Sequence, residues 1–358
     1  MGYNCIYIAT TWLLLTNILL AIIVVSEANN KKVSALIVFG DSTVDSGNNN
    51  QIRTVLKSNF RPYGRDFEGG NNPTGRFCNG RVPSDFIAEA FGIKNTIPAY
   101  SDPAYTIKDF ATGVSFASAG TGYDNATAAI LNVIPMWKEL ENYKEYQAKL
   151  RAYVGIEKAN EIIGEALYQI SLGTNDFLEN YYIFPTRRSH FTVSQYQDFL
   201  VGIAENFVKD LYALGGRKIS ITGLVPMGCL PLERTINIFG HHACKEEYNN
   251  VALGFNEKLD RLISNLNKKL PLLKAVSANA YYIFNDIITR PSAYGYEVVE
   301  KACCSTGTIE MSYLCNEKNP LTCPDPNKYV FWDAFHPTEK TYRIVSNYLI
   351  PKLLATFR

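Results

Sequence analysis

The chain alternates between two patterns. Short apolar runs break abruptly into Gly, Asp, Ser and Asn, and longer stretches carry apolar residues at helical spacing. Val33 to Phe39 is the first run, and its Val, Ile and Phe content predicts a buried strand. It ends in Gly40-Asp41-Ser42-Thr43-Val44-Asp45-Ser46-Gly47-Asn48, residue types that favour tight turns and helix caps. Ala166 to Leu172 repeats the design and ends in Gly173-Thr174-Asn175-Asp176; Lys218 to Leu224 and Ala278 to Phe284 are further strand candidates.

Helical patterns separate these runs. Ser84 to Phe91 predicts a short helix capped by Ser84, with Asp85 and Glu89 outward. Trp137 to Ile163 predicts a surface helix or pair broken near Gly155. Ser194 to Leu214, Cys244 to Leu270 and Thr338 to Leu354 complete the set. Strands alternating with helices predict parallel βαβ units in a three-layer α/β/α arrangement with a central parallel sheet. No linker, repeat or low-complexity tract interrupts the chain after residue 30, so residues 29–358 read as a single domain.

Of the 358 residues, 47% are hydrophobic and 19% charged, a globular composition. With 35 basic and 34 acidic residues the net charge is +1, which gives no electrostatic reason to expect nucleic acid or an anionic membrane as partner. Met1 to Ser26 carries no charge, and Ser26-Glu27-Ala28 offers small residues for a peptidase, so residues 1–28 read as a secretory signal peptide. The rival is an uncleaved anchor, because about 20 apolar residues can span a bilayer; Thr10, Thr11, Thr16 and Asn17 interrupt the run and weaken it. Cleavage leaves a protein without stable membrane insertion, in the extracellular space.

Cysteine usage agrees with export. Cys5 falls in the leader; Cys78, Cys229, Cys244, Cys303, Cys304, Cys315 and Cys323 remain. The expectation is one bridge between Cys229 and Cys244 and two within the cluster Cys303 to Cys323, whose internal pairing spacing does not fix; Cys78 is left as the free thiol. A metal site is not expected: the late cysteines lack paired Cys-x-x-Cys spacing, and the adjacent His241 and His242 match zinc-ligand spacing poorly. Asn125-Ala126-Thr127 is the acceptor triplet for N-glycosylation, at Asn125. No dinucleotide or phosphate-loop fingerprint appears, so no cofactor is expected, and oligomeric state has no signature in the sequence.

The candidate chemistry centres on Ser42, held at the rim of a sheet where ligands of open α/β folds collect. A serine nucleophile needs a base and a group to orient that base. Four histidines exist, and His336 is preceded three residues earlier by Asp333, close enough to orient its ring, in Phe331-Trp332-Asp333-Ala334-Phe335-His336-Pro337-Thr338. Gly113 to Gly122 is rich in small residues, and Gly120 can present an open N–H. Ser118 is a rival nucleophile, but a nucleophile elbow needs Gly where Phe116 stands. The polar segment from Asn48 to Pro83 predicts a long surface loop beside Ser42, a candidate wall of the cleft.

The four blocks around Ser42, Gly120, Asn175 and Asp333/His336 resemble, in order, those of the plant GDSL-type esterases/lipases of the SGNH hydrolase superfamily. The resemblance runs from about Ala35 to the C-terminus; the first block reads Gly-Asp-Ser-Thr where the family has Gly-Asp-Ser-Leu. It implies a flavodoxin-like α/β/α hydrolase with Ser42 as nucleophile, His336 as base and Asp333 as its orienting group. It also implies an oxyanion hole of the Ser42 and Gly120 N–H groups and the Asn175 amide, acting on a small-molecule ester or lipid. Acyl transfer to another alcohol at the same site, or a silent secreted ester-binding protein, are the alternatives.

Overall fold

The computed structural model describes residues 33–358; the expected signal peptide, residues 1–28, and Cys5 lie outside the described residues. Its strands are β1 (Leu36–Gly40), β2 (Gly113–Ser115), β3 (Leu167–Ser171), β4 (Lys218–Thr222) and β5 (Lys274–Ala278). They form one 5-stranded parallel sheet in the order β2-β1-β3-β4-β5. Parallel neighbours need crossovers, and helices supply them. The longer ones are α1 (Pro83–Ala90), α2 (Asn125–Leu131), α3 (Met136–Val154), α4 (Ile156–Glu165), α5 (Val193–Ala213), α6 (Glu246–Lys269), α7 (Tyr281–Thr289) and α8 (Glu339–Phe357).

The result is the expected three-layer α/β/α architecture. Leu36, Val38 and Leu167 face Ile87 and Ala88 of α1 and Leu353 and Phe357 of α8. On the other side Ile37, Phe39, Tyr168, Ile170, Ile219 and Ile221 pack against α3, α5 and α6, through Tyr143, Phe207 and Phe255 among others. Strand order reverses between β1 and β3, so the carboxyl ends of these two strands border the crevice where such sheets place their ligands.

Three local expectations need correction. Ala278 to Phe284 is not a strand: β5 ends at Ala278, and Tyr281 opens α7. The β-prone Tyr281-Tyr282-Ile283-Phe284 is overruled by Asn279, whose Oδ1 accepts the Tyr281 N–H at 3.0 Å and starts the helix. Asp85 does not point outward. It is fully buried, paired with Arg76 at 2.9 Å, and its carboxylate also accepts the N–H groups of Val82 and Ile97. Ser84, expected as cap, is likewise buried inside α1, which begins at Pro83.

The long polar segment is ordered by its own asparagines. Asn48 Nδ2 donates to the carbonyls of Ser115 and Ala117 at 2.9 and 2.8 Å, and Asn49 Nδ2 to those of Leu56 and Ala119, both at 3.0 Å. These bonds satisfy irregular backbone that no ladder could serve. The disulfides are Cys229–Cys244, Cys303–Cys323 and Cys304–Cys315, with Cys78 free and buried, as the spacing anticipated; the structure supplies the pairing within the late cluster. No described helix is long and apolar enough to cross a membrane.

Candidate active site

The first block is shaped by a backbone constraint. Gly40 closes β1 at φ 153°, and a Cβ there would lie 2.4 Å from the Ser171 carbonyl oxygen on β3. Only glycine lets the chain turn this tightly against its neighbour. The turn then presents Ser42 at the sheet's rim. Asp41 Oδ1 holds it by accepting the Thr43 N–H at 2.9 Å and the Thr43 hydroxyl at 2.7 Å. Asp45 accepts the N–H groups of Gly47 and Asn48, both at 2.7 Å, and that of Ala119 at 3.0 Å, tying the β1 loop to the β2 loop. Burial pushes Asp41 and Asp45 up to about 6 each.

Ser42 and His336, 294 positions apart, meet here: Ser42 Oγ lies 2.8 Å from His336 Nε2. His336 Nδ1 is 2.8 and 2.9 Å from the two oxygens of Asp333. A carboxylate only accepts, so Nδ1 carries the ring proton and Nε2 is left to accept from the serine hydroxyl. Asp333 also accepts the N–H groups of Phe335 at 2.9 Å and His336 at 2.7 Å, which folds the loop so that aspartate and imidazole face each other. Phe77 packs on the imidazole, ring centroids 5.0 Å apart, and Thr338 caps α8 just beyond.

On the far side of Ser42, Asn175 follows β3 and leads into a π-helix, Asp176–Ile183. One amide hydrogen of Asn175 is spent on the Thr121 carbonyl, with Nδ2 at 2.9 Å. The amide has two donors, so this bond orients it and leaves the second free. Gly120, next to that carbonyl, has φ 87°, and a Cβ would strike Leu56 at 2.6 Å. The backbone N–H groups of Ser42 and Gly120 have no acceptor among the described residues. Asp176 braces this side: its carboxylate accepts the N–H groups of Tyr123 at 2.8 Å and Asp124 at 3.0 Å and the Thr127 hydroxyl at 2.6 Å.

Three groups at the site escape a reading of the sequence. Tyr63, from the long loop, donates its hydroxyl to Asp333 Oδ2 at 2.6 Å. Glu139, on a helix that reads as surface, is fully buried and accepts the Gly40 N–H at 3.0 Å; burial drives its carboxyl well upward. Glu179, on the π-helix, has an Oε2 with no partner. The rival Ser118 is placed away from any histidine, its hydroxyl 2.5 Å from Asn49 Oδ1. Asn125, the glycosylation candidate, is exposed at the start of α2, while His190, His241 and His242 lie outside the site. Among the described residues no group of His, Cys, Asp or Glu is arranged to hold a metal ion.

The parallel sheet of this α/β/α fold carries at its carboxyl edge a serine, a histidine and an aspartate in hydrogen-bonded series, an arrangement of the kind serine hydrolases use. The family described as GDSL-like Lipase/Acylhydrolase matches residues 36–349. A GDSL esterase/lipase of Arabidopsis thaliana is 60% identical over 326 residues, 91% of this chain and 93% of its own length. A second from the same plant is 60% identical over 327 residues, again 91% of this chain and 93% of that one. The chain belongs to the GDSL-like lipase/acylhydrolase family, a family of carboxylic ester hydrolases. An acetylxylan esterase from Geobacillus stearothermophilus aligns with 90% of this chain and 96% of its own at a TM-score of 0.41 and 12% identity, too distant to carry over substrate or site.

Proposed function

We propose that this chain is a secreted, single-domain serine esterase that hydrolyses acyl esters through Ser42, His336 and Asp333. The observation that carries the reading is the continuous series Ser42 Oγ, His336 Nε2, His336 Nδ1, Asp333, with links of 2.8 and 2.8 Å. In the first half-reaction Ser42 Oγ attacks the acyl carbon while its proton passes to His336 Nε2. The imidazolium is stabilised by Asp333. The oxyanion is met by the Ser42 and Gly120 N–H groups and the unspent N–H of Asn175. Collapse breaks the carbon–oxygen bond to the alcohol, which leaves with the proton from His336. Water then attacks the acyl-serine by the same route in reverse, releasing the acid and restoring Ser42. Export is supported by the leader and by the Cys229–Cys244, Cys303–Cys323 and Cys304–Cys315 bridges, which persist in oxidising compartments such as the cell wall.

The test is a panel of acetyl, medium-chain and long-chain esters with purified protein. Ser42→Ala and His336→Ala, each folded by circular dichroism, are expected to show no hydrolysis above background. Full activity in folded Ser42→Ala overturns the reading.

A further inference from the structure

The sheet face under α1 and α8 is not uniformly apolar. Its central strands present Gln169 and Ser171 from β3 beside Ser220 and Thr222 from β4, paired in register. The opposite face carries Tyr168, Ile170, Ile219 and Ile221 on the same strands, the usual filling of a buried sheet. Buried polar groups cost free energy unless something meets their hydrogen-bonding needs. Ser171 Oγ has Thr43 Oγ1 at 2.9 Å. Gln169 Oε1 has no partner, and neither do Tyr342 Oη and Ser346 Oγ on α8. Gln169 is only 2% exposed and Ser346 1%.

These three orphaned groups line one cavity, and so do Ser42 and Asn175. His336 and Gly120 are not among the residues that line it, whereas Phe335 and Pro337, on either side of the histidine, are. The leaving alcohol must lie within reach of His336 Nε2 to receive its proton. A cavity that meets Ser42 and Asn175 directly, and the histidine only through its chain neighbours, suits the acyl part better than the leaving alcohol. Asp41, Thr43, Thr174, Ser220 and Thr222 also border it, and the rest of its wall is mostly apolar, with Ile87, Phe284 and Leu349 among the lining side chains. It measures ≈ 100 Å³, several times the roughly 10–15 Å³ that one water needs on the same scale, which is room for a short acyl chain.

We infer that this cavity binds the acyl part of the substrate, and that the acyl group it fits is a short chain bearing a hydroxyl several carbons from the carbonyl. The inference rests on the reading of Ser42 as nucleophile. The methylene groups lie against Ile87, Phe284 and Leu349. The hydroxyl donates to Gln169 Oε1 and accepts from the hydroxyl of Ser346 or Tyr342. An unsubstituted chain leaves these groups either unpaired or served by trapped water.

The experiment compares kcat/KM for ethyl hexanoate, ethyl 6-hydroxyhexanoate and 2-hydroxyethyl hexanoate, following acid release in a pH-stat. Wild-type protein is expected to favour the hydroxyacyl ester over ethyl hexanoate by about tenfold or more. Gln169→Leu and Ser346→Ala are expected to reduce that ratio to near unity. Each ratio is measured within one preparation, so a loss of folded protein cancels. Equal rates on ethyl hexanoate and ethyl 6-hydroxyhexanoate, or a ratio unchanged in both variants, overturns the inference alone and means that water occupies the polar wall. So does a preference for 2-hydroxyethyl hexanoate that Gln169→Leu removes, which puts the alcohol in the cavity. No turnover of any of the three esters, nor of ethyl acetate, overturns the nucleophile assignment together with it.

Discussion

Tyr63 and Asp333, 270 positions apart, share a buried hydrogen bond of 2.6 Å in which the phenol donates to the carboxylate. The same phenol oxygen accepts the Ser312 N–H at 2.8 Å, so one hydroxyl joins the long loop, the disulfide-bearing segment and the aspartate behind His336. Tyr63→Phe keeps the ring and removes both bonds. Ser312 is then left with a buried, unpaired N–H, which costs about 1–3 kcal/mol of stability. Asp333 loses one of its anchors, and kcat is expected to fall by about tenfold, a loss in keeping with a hydrogen bond to a charged group. Urea unfolding and steady-state kinetics on one ester measure the two effects; an unchanged kcat means that Asp333 is held adequately by Phe335, His336 and the imidazole alone.

Asn175 is expected to act on kcat more than on KM. Its bond to the Thr121 carbonyl fixes the amide before substrate arrives, and in the proposed mechanism the second N–H meets the developing oxyanion. Asn175→Ala is expected to lower kcat by about 10²–10³ with KM nearly unchanged. Asn175→Asp, which keeps the shape but exchanges the donor for a negative charge, is expected to be at least as damaging. A rise in KM with kcat intact places the amide in ground-state binding.

What could be read from the sequence follows from how local each signal is. Ser42 and Asn175 stand at apolar runs broken by turn residues, and His336 is three residues from Asp333, so each signal is local, but such turns are common and the resemblance to the family's four blocks is what singles these residues out. Tyr63 has no such window: its partner is at the other end of the chain and its own segment has no periodicity. Glu139 was hidden because a charge on an amphipathic helix reads as solvent-facing, and only the approach of the Gly40 N–H explains its burial. β5 has a weak sequence signal because Lys274-Ala275-Val276-Ser277-Ala278 has little β-branched or aromatic character, while the aromatic run after it mimics a strand. The pairing of Cys303 with Cys323 and Cys304 with Cys315 depends on which loops touch, which spacing does not encode.

Asp85 provides a sharper test of buried charge. Its two oxygens receive Arg76 Nε and Nη2, each at 2.9 Å, and Arg76 also donates to the Ile97 carbonyl at 2.8 Å. The pair pins the polar loop onto the start of α1. Removing one partner strands the other charge in the interior, so Arg76→Met is expected to cost about 3–5 kcal/mol. Asp85→Asn retains some of the backbone bonds but strands the Arg76 guanidinium, so a comparable loss is expected. Chemical denaturation of both variants and of the double variant measures the coupling. Additive losses contradict it, because residues in direct contact must couple.

Glu179 predicts how stability depends on pH. Burial, then the nearby Asp176 and Asp41, push its carboxyl from 4.5 up to about 8. The folded protein therefore holds this proton more tightly than the unfolded chain does. The resulting stabilisation is fully present below pH 4.5, and it is lost as pH rises through about 8. Asp41 and Asp45, raised to about 6, and Asp176, raised to about 7, act in the same direction over a narrower window. Unfolding free energy is thus expected to fall from pH 5 to pH 8, by on the order of 1 kcal/mol per pH unit for Glu179 alone. Glu179→Gln cannot ionise and should remove that share, leaving a shallower slope and a variant more stable than wild type near pH 8. Urea titrations at a series of pH values compare the two slopes. Parallel curves mean that Glu179 ionises as readily in the folded protein as in the unfolded chain, and that solvent reaches its carboxylate.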